Sequence, residues 1–339
     1  VINETPALRL FFTHSVASAT NLVSSRVAVL DIISEADGTG KPNAAALKAA
    51  MESRTPGPVS LQFHPPYFDA AALVEYQSIV NYLLTNGYTI KLPSEYAPPT
   101  TNYDVYLVGG QSNMDGRGRA SELTNSLAGW LSPQPDVRIY YANPINLNPT
   151  NPTYQTGWQT LAPGFSVPPG FSGALPSADF GPALSFARTM ADADTNRHIA
   201  LIKVTQGGTS LSSNWNPASG YMYATFTNSV KLALQSLLGE GNTFTLRGMI
   251  WHQGESDVSG GGPLYATNLT ALINAVRHDV GAPGLPFVVG EIATNYSASF
   301  RQGQFSVSQT VARVGFASSD GLRTYEGTHF IAPDVLTLG

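Results

Sequence analysis

The chain has 339 residues, 42% hydrophobic and only 12% charged, with a formal net charge of −5 and no cysteine. Its 18 Lys and Arg residues form no basic stripe to neutralise phosphates, which argues against a nucleic-acid partner, and no apolar run approaches the roughly 18 residues of a membrane span. The lack of cysteine excludes disulfides, thiolate metal sites and a cysteine nucleophile.

The low charge, 32 Gly and 24 Pro suit an extracellular, secreted or virion-surface setting. The chain starts at Val1 without a basic-then-apolar leader, the form expected of a processed or excised fragment. In chain order, Leu8–Phe12 and Val59–Phe63 read as short buried strands. Ala44–Ser53 and Ala70–Asn86 read as helices, the second closed by Gly87, and Tyr88–Leu92 alternates as a strand does. Two adjacent prolines among polar residues in Pro93–Tyr103 mark a boundary near residue 100. Residues 1–100 are thus read as a small α/β accessory region and residues 101–339 as the main domain.

Beyond the boundary, Val105–Val108, Ile199–Val204, Leu246–Trp251, Pro286–Gly290 and Val311–Phe316 are apolar runs of strand length. Helical patterns at Gly181–Ala193, Tyr221–Leu238 and Leu264–Val280 lie between them. This alternation predicts an α/β fold, a three-layer αβα sandwich around a parallel sheet. The stretch from Ala142 to Asp179, rich in Asn, Pro, Thr and Gly, reads as a long loop lining a substrate cleft.

Ligands bind at the carboxyl ends of the strands in such sheets, so the residues directly after each strand are the ones to read for chemistry. Ser112 follows Gly109-Gly110-Gln111 in a strand–turn–helix setting, where its hydroxyl projects over the sheet edge. A serine is a weak nucleophile until a base takes its proton. His329 is the first candidate base, with Glu326 three residues before it to reach the imidazole Nδ1. His252, directly after a strand, is the rival base and reads better as a structural or cleft-lining histidine. Acyl transfer also needs donors aimed at the oxyanion. The N–H of Ser112, the Gly207-Gly208 pair and the Gln253 amide offer a three-donor hole. Glu255 and Asp257 read either as solvated turn acids or, for the Glu, as support for the histidine.

Gly110-Gln111-Ser112-Asn113-Met114, Gly207-Gly208-Thr209-Ser210, Trp251-His252-Gln253-Gly254-Glu255-Ser256-Asp257 and the terminal His329 together resemble the SGNH hydrolase superfamily. More narrowly, they are similar to its sialate O-acetylesterase and acetyl-xylan-esterase branch, carbohydrate esterase family six. Gly157-Trp158 and Phe180-Gly181-Pro182 resemble a passage of that family as well, and the likeness covers about residues 102–339. It implies an SGNH, flavodoxin-like sheet and a serine esterase that needs no cofactor and no metal. Its nucleophile falls on Ser112 and its base on His329. Its oxyanion donors fall on Ser112, Gly208 and Gln253. The acid three before the histidine is usually Asp, and here it is Glu326, so Glu255 and Asp320 also stand as candidates to orient His329. Relatives continue into a closing helix where this chain stops at Gly339. The first hundred residues, with Phe12-Thr13-His14-Ser15-Val16 and Leu61-Gln62-Phe63-His64, look like the later half of a NodB-type polysaccharide deacetylase without its metal ligands.

These likenesses imply removal of O-acetyl groups from a glycan or polysaccharide substrate. The alternative from another class is a carbohydrate-binding or adhesion module on an inactivated esterase fold, and either reading is compatible with a receptor-binding piece of a phage tail spike and with a homo-oligomer. Survival of nucleophile, base, acid and hole favours the enzyme.

Overall fold

The computed structural model describes residues 31–34, 43–52, 59–62, 70–86, 101–144, 154–167 and 178–339. The strands expected at Leu8–Phe12 and Tyr88–Leu92, and His14 and His64, lie outside them. The chain divides into two compact units, Val1–Thr100 with Gly239–Gly241, and Thr101–Leu238 with Asn242–Gly339.

In the first unit, β1 (Asp31–Ser34) and β2 (Val59–Gln62) pair in parallel, and α1 (Ala44–Glu52) lies between them in the chain. Asn43 Oδ1 accepts the Ala46 N–H at 2.9 Å, and Glu75 of α2 (Ala70–Thr85) accepts the Ala44 N–H at 2.8 Å. Two otherwise orphaned donors of the first turn of α1 are satisfied in this way.

The second unit holds a seven-stranded sheet of β3 (Asn102–Gly110), β4 (Gln134–Asn143), β5 (Tyr154–Leu161), β6 (His198–Thr205), β7 (Thr243–His252), β8 (Phe287–Gly290) and β9 (Val314–Ala317). Their spatial order is β5-β4-β6-β3-β7-β8-β9, parallel throughout except for the antiparallel β4–β5 pair at one edge. The central strands are apolar on both sides because both faces are covered. Val105 and Leu107 of β3 face one core with Ala200, Ile202 and Val204 of β6. Tyr106 and Val108 of β3 face the other with Ile199 and Leu201. Helices α5 (Tyr221–Gly239), α6 (Gly262–Asp279) and α7 (Ala298–Thr310) close the first core. Helices α4 (Ala183–Ala193) and α8 (Ala332–Leu338) close the second. The result is a three-layer αβα sandwich.

Three expectations need correction. The stretch from Ala142 to Asp179 is not all loop, since β5 runs from Tyr154 to Leu161. An edge strand pairs on one side only and tolerates a polar sequence such as this one. The last strand begins at Val314 rather than Val311, because Val311 is the C-terminal cap of α7. Finally, Ala332–Leu338 does form a helix. Pro333 sits in the first turn of α8, where a missing N–H costs nothing, and Ala332 and Val335 are buried on the face that meets α4.

From β3 the chain leads towards β4, and from its neighbour β7 it leads the other way towards β8. That reversal opens a crevice at the carboxyl ends of β3 and β7. Trp251, one residue before the end of β7, meets Trp215 edge to face at 4.9 Å, both fully buried. Such a pair contributes about 0.5–1.5 kcal/mol beyond its area and anchors the strand end that carries His252 and Gln253.

Candidate active site

The crevice is built from the turns after β3, β6 and β7 and from the loop before α8. Strand β3 finishes at Gly110, with φ +147°, where an added Cβ would come 2.1 Å from the His252 carbonyl oxygen. Only glycine fits there, and the next residue, Gln111, donates its N–H to that same oxygen at 3.1 Å. The chain then makes one helical turn, α3 (Ser112–Asp115), closed by the Gly116 N–H on the Ser112 carbonyl at 2.9 Å. Ser112 is thereby fixed at the mouth of the crevice.

Ser112 Oγ lies 3.0 Å from His329 Nε2, across 217 residues of sequence. On the far side of the ring, Nδ1 is in direct contact with Glu326 Oε1. The two come from one tight loop, in which the Tyr325 N–H bonds the His329 carbonyl at 2.8 Å. Arg119 stacks 4.1 Å from the centre of the Tyr325 ring, and Tyr325 donates to Glu122 at 2.8 Å. Burial and that carboxylate push the Tyr325 hydroxyl up to about 12, so it stays a donor at neutral pH.

The other candidate acids stand elsewhere. Asp320 is exposed and 3.7 Å from Arg301. The side chain of Glu255 is buried rather than solvated. Its Oε1 accepts the Asn113 amide at 2.7 Å and lies 4.0 Å from His252 Nδ1. His252 is buried too, its Nε2 at 2.9 Å from the Glu291 carbonyl and its ring edge-on to Phe330. It is a packed histidine of the β7 end. Asp257 is likewise no solvated acid, because it accepts the N–H groups of Leu211 and Ser212 at 2.7 and 3.0 Å and so ties the turn after β6 to the turn after β7.

At that β6 turn, Gly207 is the residue against the serine. A Cβ added to it would come 3.5 Å from Ser112 Cβ and 2.7 Å from Arg117 Nη2. Gly208, the next residue, is exposed with φ +72° and open space around it. Gln253 does not offer its amide to a ligand. It is fully buried, and Nε2 has three protein acceptors: Gln111 Oε1 at 3.0 Å, the Thr209 carbonyl at 3.1 Å and Asp257 Oδ2 at 2.6 Å. Two hydrogens facing three acceptors leave none for an oxyanion. Gln253 braces the turns after β3, β6 and β7, and the expected three-donor hole reduces to backbone N–H groups.

Beneath Ser112 lies a polar lattice that the sequence reading did not single out. Asp115, fully buried, accepts from Tyr141 Oη (2.7 Å), Asn143 Nδ2 (3.2 Å), Thr205 Oγ1 (2.7 Å), Arg117 Nη1 (3.1 Å) and the Val167 N–H (3.0 Å). Lys203 Nζ bonds the Asp115 and Phe165 carbonyls at 2.6 and 2.9 Å. Burial, partly offset by Asp115, lowers the Lys203 pKa to about 8, and burial beside the same carboxylate raises that of Tyr141. One signal was available, a lysine inside the apolar run Ile199–Val204, since a charge there is buried and must have partners.

A family model for "Carbohydrate esterase, sialic acid-specific acetylesterase" matches residues 102–339. The chain belongs to this family. The esterase thus removes O-acetyl groups from carbohydrate, and the family match covers the second compact unit almost whole. No curated protein sequence matches the chain. Among solved structures, a protein from Arabidopsis thaliana is similar at 19% identity and TM-score 0.54, over 71% of this esterase and 94% of that chain. A carbohydrate acetylesterase from Xanthomonas citri is similar at 17% and 0.50, over 69% and 54%. NanS is similar at 16% and 0.50, over 71% and 94%. At these identities the likeness is one of fold.

Proposed function

We propose that the esterase cleaves carbohydrate O-acetyl esters through an acetyl-serine intermediate. His329 Nε2 takes the proton of Ser112 Oγ as that oxygen attacks the acetyl carbonyl carbon, and Glu326 holds the imidazole by Nδ1 and offsets the charge it gains. The N–H groups of Ser112 and Gly208 meet the developing oxyanion. His329 then returns the proton to the sugar oxygen as the C–O bond breaks. Water, deprotonated by the same ring, hydrolyses the acetyl-serine and frees acetate. The observation that carries this reading is the unbroken line from Glu326 through His329 to Ser112 at the mouth of the β3–β7 crevice.

The test is release of acetate from O-acetylated sialic acids and acetylated polysaccharides by the wild type and by Ser112→Ala. The variant is expected to lose about 10³–10⁶ in kcat, in line with losses on removing a triad serine. A folded Ser112→Ala protein that keeps more than about a thousandth of wild-type kcat would overturn the assignment.

A further inference from the structure

We propose that Asn113 is the positioning residue for His329, its amide fastening the histidine loop to the serine turn and being itself held by Glu255. The inference rests on the reading of Ser112 and His329 as nucleophile and base. Asn113 is buried, and its side chain makes three hydrogen bonds. Nδ2 donates to Glu255 Oε1 at 2.7 Å and to the Thr328 carbonyl at 3.0 Å, and Oδ1 accepts the Phe330 N–H at 3.2 Å. Thr328 and Phe330 are the residues on either side of His329. Each partner is more than 140 residues away in sequence, so the amide is not a local cap of its own turn.

Glu326 cannot do the same work. It sits in the same loop as His329 and moves with it, so it fixes the ring but not the distance from the ring to Ser112. Asn113 is the next residue after Ser112, and gripping both neighbours of His329 turns that distance into a short closed path of covalent and hydrogen bonds. The carboxylate of Glu255 also decides which way round the amide sits. The amide nitrogen faces two acceptors, Glu255 Oε1 and the Thr328 carbonyl, while the amide oxygen faces a donor. A flipped amide would set oxygen against oxygen twice and nitrogen against an N–H once.

The experiment compares wild type, Asn113→Asp, Asn113→Ala and Asn113→Asp with Glu255→Gln, with Ser112→Ala alongside. Each is measured for acetate release and for the rate at which a fluorophosphonate labels Ser112, which depends on the base and needs no sugar. Asn113→Asp keeps the shape but turns a donor into an acceptor. Its kcat and labelling rate are expected to fall together by about a hundredfold, the scale of a misplacement of about 1 Å, with KM within about threefold. Adding Glu255→Gln supplies a donor to the new carboxylate and is expected to recover at least about tenfold of that loss.

Melting temperatures establish that each variant is folded. If Asn113→Asp does not fold, Asn113→Ser is read by the same criteria. Folded Asp and Ala variants with kcat within about threefold of wild type would overturn the proposal, as would a rise in KM with unchanged labelling. A double variant no faster than Asn113→Asp would overturn the part given to Glu255. If instead Ser112→Ala stays active, it is the serine mechanism that fails, and the two failures are told apart.

Discussion

The reacting pair and the lattice that carries it obey different rules. In the histidine loop, the side chains of His329 and Glu326 are 27% and 53% exposed, so water weakens their mutual attraction. A few residues from Ser112, the carboxylate of Asp115 is wholly buried and takes five hydrogen bonds from β4, β6 and the segments around Arg117 and Val167. A buried charge of that kind is tolerable only when every lone pair is matched. The comparison separates two tasks: the loop supplies reactivity at the water boundary, and the lattice supplies fixed geometry out of its reach.

Removing a member of each region tests whether the tasks are separate. Asp115→Ala leaves Arg117 and Lys203 buried beside an empty place, and it is expected to cost about 3–5 kcal/mol of stability in urea unfolding, the range for breaking a buried charged group's pairing. Activity should fall because the Ser112 turn loosens. Glu326→Gln is the opposite case. Its side chain is half exposed, so unfolding free energy should stay within about 0.5 kcal/mol of wild type. Its kcat should drop about 10–100-fold, less than for a fully buried triad acid because water partly replaces the lost charge. Equal stability losses in the two variants would mean that loop and lattice are one structural unit.

Much of this was legible before any coordinates. The apolar strands β3, β6 and β7 announced themselves because burial on both faces removes polar residues from them, and the residues after them were then the ones to inspect. Ser112 and His329 became candidates from chemistry at strand ends, and the family likeness singled them out. Among the elements that were not legible, β4 and α8 included, two show the physical reason. β5 reads Tyr154-Gln155-Thr156-Gly157-Trp158-Gln159-Thr160-Leu161, an edge strand with water on one side and a glycine at φ +66° that breaks its alternation. In α7 the fully buried apolar residues are Phe300 and Val307, too few to make a stripe among Ser and Gln. At the site, side-chain amides were the blind spot. Asn113 and Gln253 have the same donors and acceptors whether they face a substrate or a neighbouring turn, and only tertiary contacts decide. For Gln253 the turn won, and the residue types alone pointed the other way.

Lys203 gives an effect with a definite sign. Its folded pKa, about 8, is depressed from 10.5 chiefly by burial, raised somewhat by Asp115 and lowered further by Arg117. Between pH 8 and 10.5 the native lysine has lost its proton while the unfolded chain still holds one. The unfolded state therefore binds more protons, and stability contributed by this group rises with pH across that window, by at most about 1.4 kcal/mol per pH unit. The buried tyrosines act in the reverse sense. Burial raises the pKa of Tyr141 and Tyr265 above 10.0, so beyond about pH 10 the unfolded state releases their protons first and stability falls. The tyrosines are common to wild type and Lys203→Met, so subtracting the two urea unfolding curves between pH 7.5 and 10 isolates the lysine. The difference should narrow as pH rises above 8 if the methionine variant is the more stable, and widen if the wild type is. A difference independent of pH would mean that the amine is solvated in solution, and the lattice beneath Ser112 would then be wet where its geometry requires it to be dry.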